Sequence, residues 1–219
     1  MNFDQARSEV LRTCQHLADR GFLAGTGGNL ACRIDDGHFA VTPSATDYYA
    51  MKLEDICVLR LPDLTRIAGE RRPSVEHRLH ANIFRVRQDC RASIHTHQPI
   101  ASAYTLLGRT LEICDPRHRV LLGPEAPLVG YAPSGTRWLA LKLKKALKPH
   151  INAYLLRNHG IICCGPTLRE AVARVEALEV ACAQYFQNAI AQHSDPEGEK
   201  GQSEVLMLLA ESLKMESVP

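Results

Sequence analysis

The stretch Ala92-Ser93-Ile94-His95-Thr96-His97-Gln98-Pro99 places two histidines where a short apolar run meets a proline. The run predicts the end of a β-strand, because proline does not continue a strand ladder. Side chains two residues apart on a strand point to the same face, so His95 and His97 can hold one metal ion together. His159 follows a second apolar run and offers a third nitrogen. Three imidazoles with an open position indicate a catalytic zinc, and ordinary polar histidines at strand ends are the alternative.

The composition narrows the class of protein. A chain of 219 residues with 45% hydrophobic content suits a single domain with its own core. A net charge of only +2 predicts neither a nucleic-acid nor a membrane partner. The start of the chain lacks the basic and apolar pattern of a signal peptide, and eight dispersed cysteines form no Cys-x-x-Cys pair. We therefore expect a cytoplasmic protein with reduced, buried thiols.

Hydrophobic periodicity predicts a layered α/β fold with antiparallel strands. Asp35-Asp36-Gly37 is a hairpin signal. Gly21 is expected to end the first helix, Ser74 to cap the second, and Thr167 to cap the long helix that begins at 167. Residues 112–130 are expected to be irregular. A polar linker at 195–202 is expected to precede a last helix through 205–213, in one domain covering 1–219. The predicted helices cover 4–20, 75–87, 99–107, 135–147 and 167 to about 192, and the strands 29–34, 38–42, 56–61, 91–95, 152–157 and 161–164.

Three further motifs are weak when taken singly. Gly25-Thr26-Gly27-Gly28-Asn29 lies between a helix and a strand, where glycines allow either a flexible turn or a close approach of backbone N–H groups to an anion. Thr42-Pro43-Ser44 and Pro73-Ser74-Val75-Glu76 follow predicted strands or turns. Glu76 by itself is expected to be a solvated residue that is favoured by the helix dipole.

The order of the motifs is more specific than any one of them. Gly-Thr-Gly-Gly-Asn, Thr-Pro-Ser, Pro-Ser-x-Glu, His-x-His and Asn-His-Gly follow one another at 25–29, 42–44, 73–76, 95–97 and 158–160. This series resembles the class II aldolase/adducin family. The resemblance implies a three-layer α/β fold, in which a nine-stranded, mostly antiparallel central sheet is flanked by helices. It also implies a homotetramer with active sites at subunit boundaries.

The resemblance assigns roles to residues at these positions. It implies that His95, His97, His159 and Glu76 bind Zn²⁺, with Fe²⁺, Co²⁺ or Mn²⁺ as alternatives. Glu76 would also be the catalytic base, and we expect its enclosure to raise its pKa. The family's proton-donating tyrosine falls near Pro116 in this chain, and the nearby His118 is the candidate replacement. The residues implied around a substrate phosphate are Thr26, Gly27, Gly28, Asn29, Thr42, Ser44 and Ser74.

The implied activity is a zinc-dependent aldol cleavage of a ketose 1-phosphate to dihydroxyacetone phosphate and an aldehyde. The substrate would be of the fuculose, ribulose, 5-deoxyribulose or methylthioribulose type, and the sequence leaves the aldehyde half open. A methylthioribulose-1-phosphate dehydratase and an adducin-like interaction domain are the alternatives. The three histidines and Glu76 disfavour the interaction domain, because such domains lack the metal ligands.

Overall fold

The computed structural model describes residues 1–23 and 27–193, and side chains up to residue 191. These residues form a mixed α/β fold, as expected. The helices are α1 (Phe3–Asp19), α2 (His77–Val86), α3 (Pro99–Thr105), α4 (Pro116–Leu122), α5 (Arg137–Ala146) and α6 (Leu168–His193). The strands are β1 (Asn29–Arg33), β2 (His38–Val41), β3 (Cys57–Arg60), β4 (Arg66–Ala68), β5 (Ala92–Thr96), β6 (Leu111–Glu112), β7 (Glu125–Ala126), β8 (Leu128–Val129), β9 (Ala153–Leu156) and β10 (Gly160–Gly165).

The central sheet has the strand order β4-β3-β2-β1-β5-β10-β9-β8. Its neighbours pair antiparallel except β8 and β9, which are parallel, so the predicted antiparallel character is confirmed. The expected count of nine strands is wrong for the described residues, where the sheet has eight strands. β6 and β7 pair only with each other, as a separate two-stranded sheet.

Helices cover both faces of the sheet and give it three layers. On one face, α1, α3 and α6 pack with residues such as Leu30 and Ile94 in one apolar cluster. On the other face, α2 and α5 pack with residues such as Ala31 and Ile162 in a second cluster. Neighbouring residues of β1 thus belong to different clusters, because successive side chains of a strand point to opposite faces.

The ends of the long helices agree with the sequence predictions. Asn2 and Gln5 form a capping box at the start of α1. Gly21, just beyond the end of α1, has a φ of +70°, a conformation that glycine adopts without steric cost. Thr167 accepts the backbone N–H of Glu170 at 3.2 Å and caps α6, as expected.

Two local predictions are wrong. Ser74 does not cap α2, which begins at His77 with Glu76 at the N-cap position. The Ser74 hydroxyl instead accepts the N–H of Glu76 at 3.2 Å, in the turn before the helix. Residues 112–130 are not irregular throughout, because α4 lies within them. That helix is capped by Asp115, has proline in its first turn, and ends at a glycine.

One edge of the sheet collects the motif segments. Asn29 pairs with His95, and His95 pairs with Ile162, across β1, β5 and β10. The strands are antiparallel, so the start of β1, the end of β5 and the turn between β9 and β10 lie at this same edge. The backbone N–H of Thr42, just after β2, donates to the carbonyl of Leu30 in β1. Thr42 therefore lies at this edge as well. We call this edge the site edge.

The cysteines and the end of the chain bear on the remaining expectations. All eight cysteines are free, and all except Cys114 are buried, which agrees with the predicted thiols. Within the described part of the chain, the helices are too short or too polar to cross a bilayer. The predicted linker at 195–202 and the helix through 205–213 lie outside the described residues, so the single domain over 1–219 stays a prediction.

Candidate active site

Three histidines meet at the site edge. His95 lies on β5, His97 just beyond it, and His159 in the turn that joins β9 to β10. One ring nitrogen of each lies within 4.8 Å of the other two. The Nε2 atoms of His95 and His97 are 2.9 Å apart. The structure therefore brings together the three histidines that the sequence singled out.

The surrounding backbone fixes how two of these rings are presented. Nδ1 of the fully buried His95 donates to the carbonyl of Ile161 at 2.7 Å, which leaves Nε2 facing the cluster. Asn158, which precedes His159, has a φ of +54°. Asparagine tolerates this left-handed conformation better than most residues. The resulting turn directs His159 toward the end of β5.

Glu76 completes the cluster. Its Oε2 lies 3.1 Å from His95 Nε2, and its Oε1 lies 3.4 Å from His159 Nε2. Asn29 Nδ2 donates to Oε2 at 3.0 Å, and the hydroxyl of Ser134 donates to Oε1 at 2.7 Å. The side chain is only 5% exposed. The default expectation of a solvated Glu76 is therefore wrong.

The expected rise in the pKa of Glu76 is also wrong. Burial acts to raise this pKa and is the largest single influence, but the charges of His95 and His159 and hydrogen bonds from His95 and Ser134 outweigh it. The pKa of Glu76 therefore lies well below its usual value, and the carboxylate is ionised near neutral pH. Burial, reinforced by the charge of His95, lowers the pKa of both His97 and His159 to about 4. Their imidazoles are neutral near pH 7, which is the form that binds metals.

Gly28 lies directly beside His95, and Gly27 precedes it in the same segment. Gly28 has a φ of +96°, and a Cβ on this residue would be 2.9 Å from the carbonyl oxygen of His95. Only glycine fits this backbone path. The buried hydroxyl of Tyr48 lies 2.9 Å from the carbonyl oxygens of both glycines and holds the segment in place. Thr26 lies outside the described residues.

The two proline-containing motifs pair with each other next to this segment. Ser44 N–H donates to the carbonyl of Arg72, and Ser74 N–H donates to the carbonyl of Thr42, both at 2.9 Å. Ser44 and Ser74 therefore lie in paired segments at the site edge. The Thr42 side chain is turned inward, because its hydroxyl accepts the N–H of Leu30 at 3.2 Å and the residue is 1% exposed.

His118 lies apart from the cluster within one chain. It belongs to α4 and lines a cavity of about 620 Å³ with Arg109, Cys114 and Tyr185. Neither Glu76 nor any of the three clustered histidines lines this cavity. The structure of a single chain therefore does not bring His118 to Glu76.

Sequence reasoning missed two residues that contact the site. His80 follows Glu76 by four residues, a spacing that places two side chains on one helix face, and this spacing could have indicated it. His80 bonds to Asn29. Ser134 lies in a loop far along the chain, and no local pattern connects it to Glu76.

The residues at the cluster fit a metal ion. Three imidazoles within one metal's reach, with a carboxylate beside them, form a donor set that suits Zn²⁺ and several other divalent transition metals. The hydrogen bond from His95 Nδ1 to a backbone carbonyl is the arrangement usual for metal-binding histidines.

Comparison with known proteins agrees with this geometry. Residues 8–186 match the family described as Class II Aldolase and Adducin N-terminal domain. The chain belongs to the class II aldolase/adducin family. A 5-deoxy-D-ribulose 1-phosphate aldolase of Bacillus thuringiensis is 32% identical over 191 residues, which cover 85% of this chain and 87% of that protein. An L-fuculose phosphate aldolase of Methanocaldococcus jannaschii is 31% identical over 173 residues, which cover 79% and 91%.

The fold of a class II aldolase is similar as well. The structure of an L-fuculose 1-phosphate aldolase superposes with a TM-score of 0.78 at 28% identity, covering 96% of this chain and 97% of that one. The family and fold expected from the motif order are thus confirmed. The chain is a class II aldolase-type enzyme, of the metal-dependent aldehyde-lyase class.

Proposed function

We propose that this protein cleaves a ketose 1-phosphate to dihydroxyacetone phosphate and an aldehyde, with Zn²⁺ held by His95, His97 and His159. One observation carries the proposal: the Glu76 carboxylate reaches both His95 and His159 inside a buried cluster. A base and three metal ligands are thereby available to one substrate. The similarity to ketose 1-phosphate aldolases supports the substrate class.

The proposal assigns the metal to the histidine cluster and gives it one chemical role. His95, His97 and His159 would hold it, and Glu76 lies close enough to join them. When bound, it supplies a Lewis acid that stabilises negative charge on substrate oxygens during carbon–carbon cleavage. Fe²⁺, Co²⁺ and Mn²⁺ are accepted by imidazole as well, so they are alternatives to Zn²⁺.

Glu76 is the proposed catalytic base. Its ionised carboxylate takes the proton from the hydroxyl on the carbon that becomes the aldehyde. The carbon–carbon bond then breaks, and its electron pair stays with the ketose half. The same carboxyl group returns the proton to that half, which leaves as dihydroxyacetone phosphate. Asn29 and Ser134 hold the two carboxylate oxygens in place through this sequence.

The substrate phosphate is assigned to the neighbouring backbone. Gly27, Gly28 and Asn29 form the proposed cradle, and Ser44 and Ser74 lie in the paired segments beside it. Thr26 is assigned to the phosphate from its place in the Gly-Thr-Gly-Gly-Asn motif. Glycines in such a segment let backbone N–H groups approach an anion closely. Thr42 contributes by holding the end of β2 against β1.

We also propose that the chain assembles into a homotetramer with active sites at subunit boundaries. Four large apolar side chains, those of Val75, Tyr131, Trp138 and Leu141, are more than half exposed around Glu76 and α5. Exposed apolar surface of this kind favours subunit contacts. In such an assembly His118 of a neighbouring subunit would be the alternative donor of the proton that the ketose half receives, and Glu76 would then release its proton to water. The free thiols favour the reducing cytoplasm.

A product assay tests this function. Zinc-loaded protein is incubated separately with fuculose, ribulose, 5-deoxyribulose and methylthioribulose 1-phosphates, and dihydroxyacetone phosphate is measured with an NADH-coupled reductase. We expect its release from at least one of them, and loss of this release in Glu76→Gln. Loss of water from methylthioribulose 1-phosphate, without cleavage, would instead identify a dehydratase.

A further inference from the structure

A buried chain of hydrogen bonds extends from Glu76 into the protein interior. Asn29 Nδ2 donates to Glu76 Oε2 at 3.0 Å, and Asn29 Oδ1 lies 2.6 Å from Nε2 of His80. Nδ1 of His80 lies 2.9 Å from the hydroxyl of Ser93. His80 and Ser93 are fully buried, and Asn29 is 5% exposed. Among the described residues, Asn29 is the member of this hydrogen-bond chain that bonds to Glu76.

The chemistry of these groups allows one arrangement of protons. An ionised carboxylate only accepts, so Asn29 must present its NH₂ group to Glu76 and its oxygen to His80. That oxygen also only accepts, so Nε2 of His80 carries the proton. Nδ1 is then the acceptor for the Ser93 hydroxyl. Each donor in the chain is thereby matched with an acceptor.

We propose that His80 is a positioning residue that holds the Asn29 amide with its NH₂ group toward Glu76. Without His80, the amide is free to turn and present its oxygen to the carboxylate. Glu76 would then lose one of the two hydrogen bonds, from Asn29 and Ser134, that hold it where it takes the substrate proton. This inference rests on the proposed function, because it assigns His80 a part in placing the proposed base.

Two variants of His80 distinguish the role of its hydrogen bond to Asn29 from the role of its side-chain volume. His80→Phe keeps the ring volume but donates no hydrogen bond, and we expect kcat to fall about 10- to 100-fold, as for other residues that orient catalytic groups. His80→Gln restores a donor near the Nε2 position, and its kcat should recover most of this loss. Zinc content should stay stoichiometric in both. Equal kcat values for the two variants would overturn the inference.

A double-mutant comparison tests whether His80 acts through Asn29. If it does, His80→Phe combined with Asn29→Ala should be no slower than Asn29→Ala alone, because Asn29→Ala already removes the amide through which His80 acts on Glu76. Additive losses would contradict the proposal. Asn82→Ala is the matched control: it removes a buried hydrogen bond from the same helix to the carbonyl of Ala140, away from the cluster. It should lower stability and leave kcat unchanged.

A spectroscopic measurement keeps the proposal testable if His80→Phe does not fold. Long-range ¹H–¹⁵N spectra of the wild-type, zinc-loaded protein should show His80 as the Nε2–H tautomer. An Nδ1–H tautomer would overturn the proposed arrangement. This readout does not need a substrate. If wild-type protein cleaves no ketose phosphate, the proposed function fails, while the tautomer still reports on the hydrogen-bond chain.

Discussion

Gly160 lies directly against His97. A Cβ on residue 160 would be 2.5 Å from Cδ2 of the His97 ring and 2.5 Å from the carbonyl oxygen of Thr96. It would also be 3.3 Å from Cε1 of His95. The glycine of the Asn-His-Gly motif therefore leaves the space in which the histidine rings meet.

Gly160→Ala should separate these rings and destabilise the protein. The carbonyl of Thr96 is backbone and yields little, so the added methyl group must push β10 away from β5. We expect a loss of about 1–3 kcal/mol in the free energy of unfolding, as for other overpacked sites. Urea unfolding and elemental zinc analysis measure the two effects, and zinc binding should weaken.

Gly37→Ala is the control for this prediction. Gly37 lies in the hairpin at the opposite end of β1, where a Cβ would meet only Asp35 Oδ1 at 3.5 Å. We expect little change in zinc content. Normal zinc retention by Gly160→Ala would show that the close approach of Gly160 to His97 does not matter for binding.

Glu76→Gln should fold normally and lower turnover about 100-fold or more, because the amide cannot accept the substrate proton. Ser134→Ala is the comparison: it removes one hydrogen bond to the carboxylate but keeps the base, so its loss should be smaller. Steady-state kinetics of protein with a measured zinc content provide the test. A fully zinc-loaded Glu76→Gln that turns over at the wild-type rate would exclude Glu76 as the base.

The sequence predicted the parts of the fold that local patterns determine. The first hairpin, the ends of α1 and the cap of α6 depend on residues within a few positions of one another, and each is confirmed. α4 was missed because it is one of the shortest helices, with a single buried apolar residue, Leu122. Its cap Asp115 and the following proline were the available signals.

The sequence indicated which residues cluster at the candidate site, but not the surroundings that determine the pKa of Glu76. The motif order brought His95, His97, His159 and Glu76 to attention, and the structure places them together. The pKa of Glu76 could not be foreseen, because it depends on Ser134 and on the imidazoles of His95 and His159, which are distant from it in the sequence. Burial alone was a poor guide, since opposing charges and hydrogen bonds exceed its effect here.

Stability of the metal-free protein should fall as the pH drops below neutral. Burial lowers the pKa of His80 to about 3, against an ordinary value of 6.5. Between these values the unfolded chain binds a proton that the folded chain does not, so stability decreases as pH falls from about 6.5 toward 3. One such histidine contributes at most about 1.4 kcal/mol per pH unit.

Urea unfolding of chelator-treated protein at pH 7, 6 and 5 measures this slope. His97 and His159, with pKa values of about 4, should add to it in the same direction. His80→Gln lacks one of the titrating groups, so its slope should be shallower than that of wild type. Identical slopes for the two proteins would show that His80 is not held neutral by the fold.

Leu141→Arg should weaken the proposed tetramer. Leu141 lies on α5 and is 51% exposed, three residues from Trp138, which is 63% exposed. An arginine here places a charge in the proposed apolar contact, and burying an unpaired charge is costly. Light scattering after size-exclusion chromatography measures the mass. Lys145→Glu, an exposed change of charge on the same helix, is the control, and an unchanged mass for Leu141→Arg would place the contact elsewhere.

Removal of the metal should abolish activity and lower the melting temperature together. A ligand that binds only the folded state stabilises it by an amount that grows with its free concentration, so chelation removes that stabilisation. Adding Zn²⁺, Co²⁺ or Mn²⁺ back should restore both properties to different degrees, because imidazole accepts all three. His97→Ala serves as the control: with one ligand gone, its melting temperature should respond little to chelator or added zinc. A wild-type enzyme that retains full activity after verified loss of all divalent metal would exclude the proposed role of the histidine cluster.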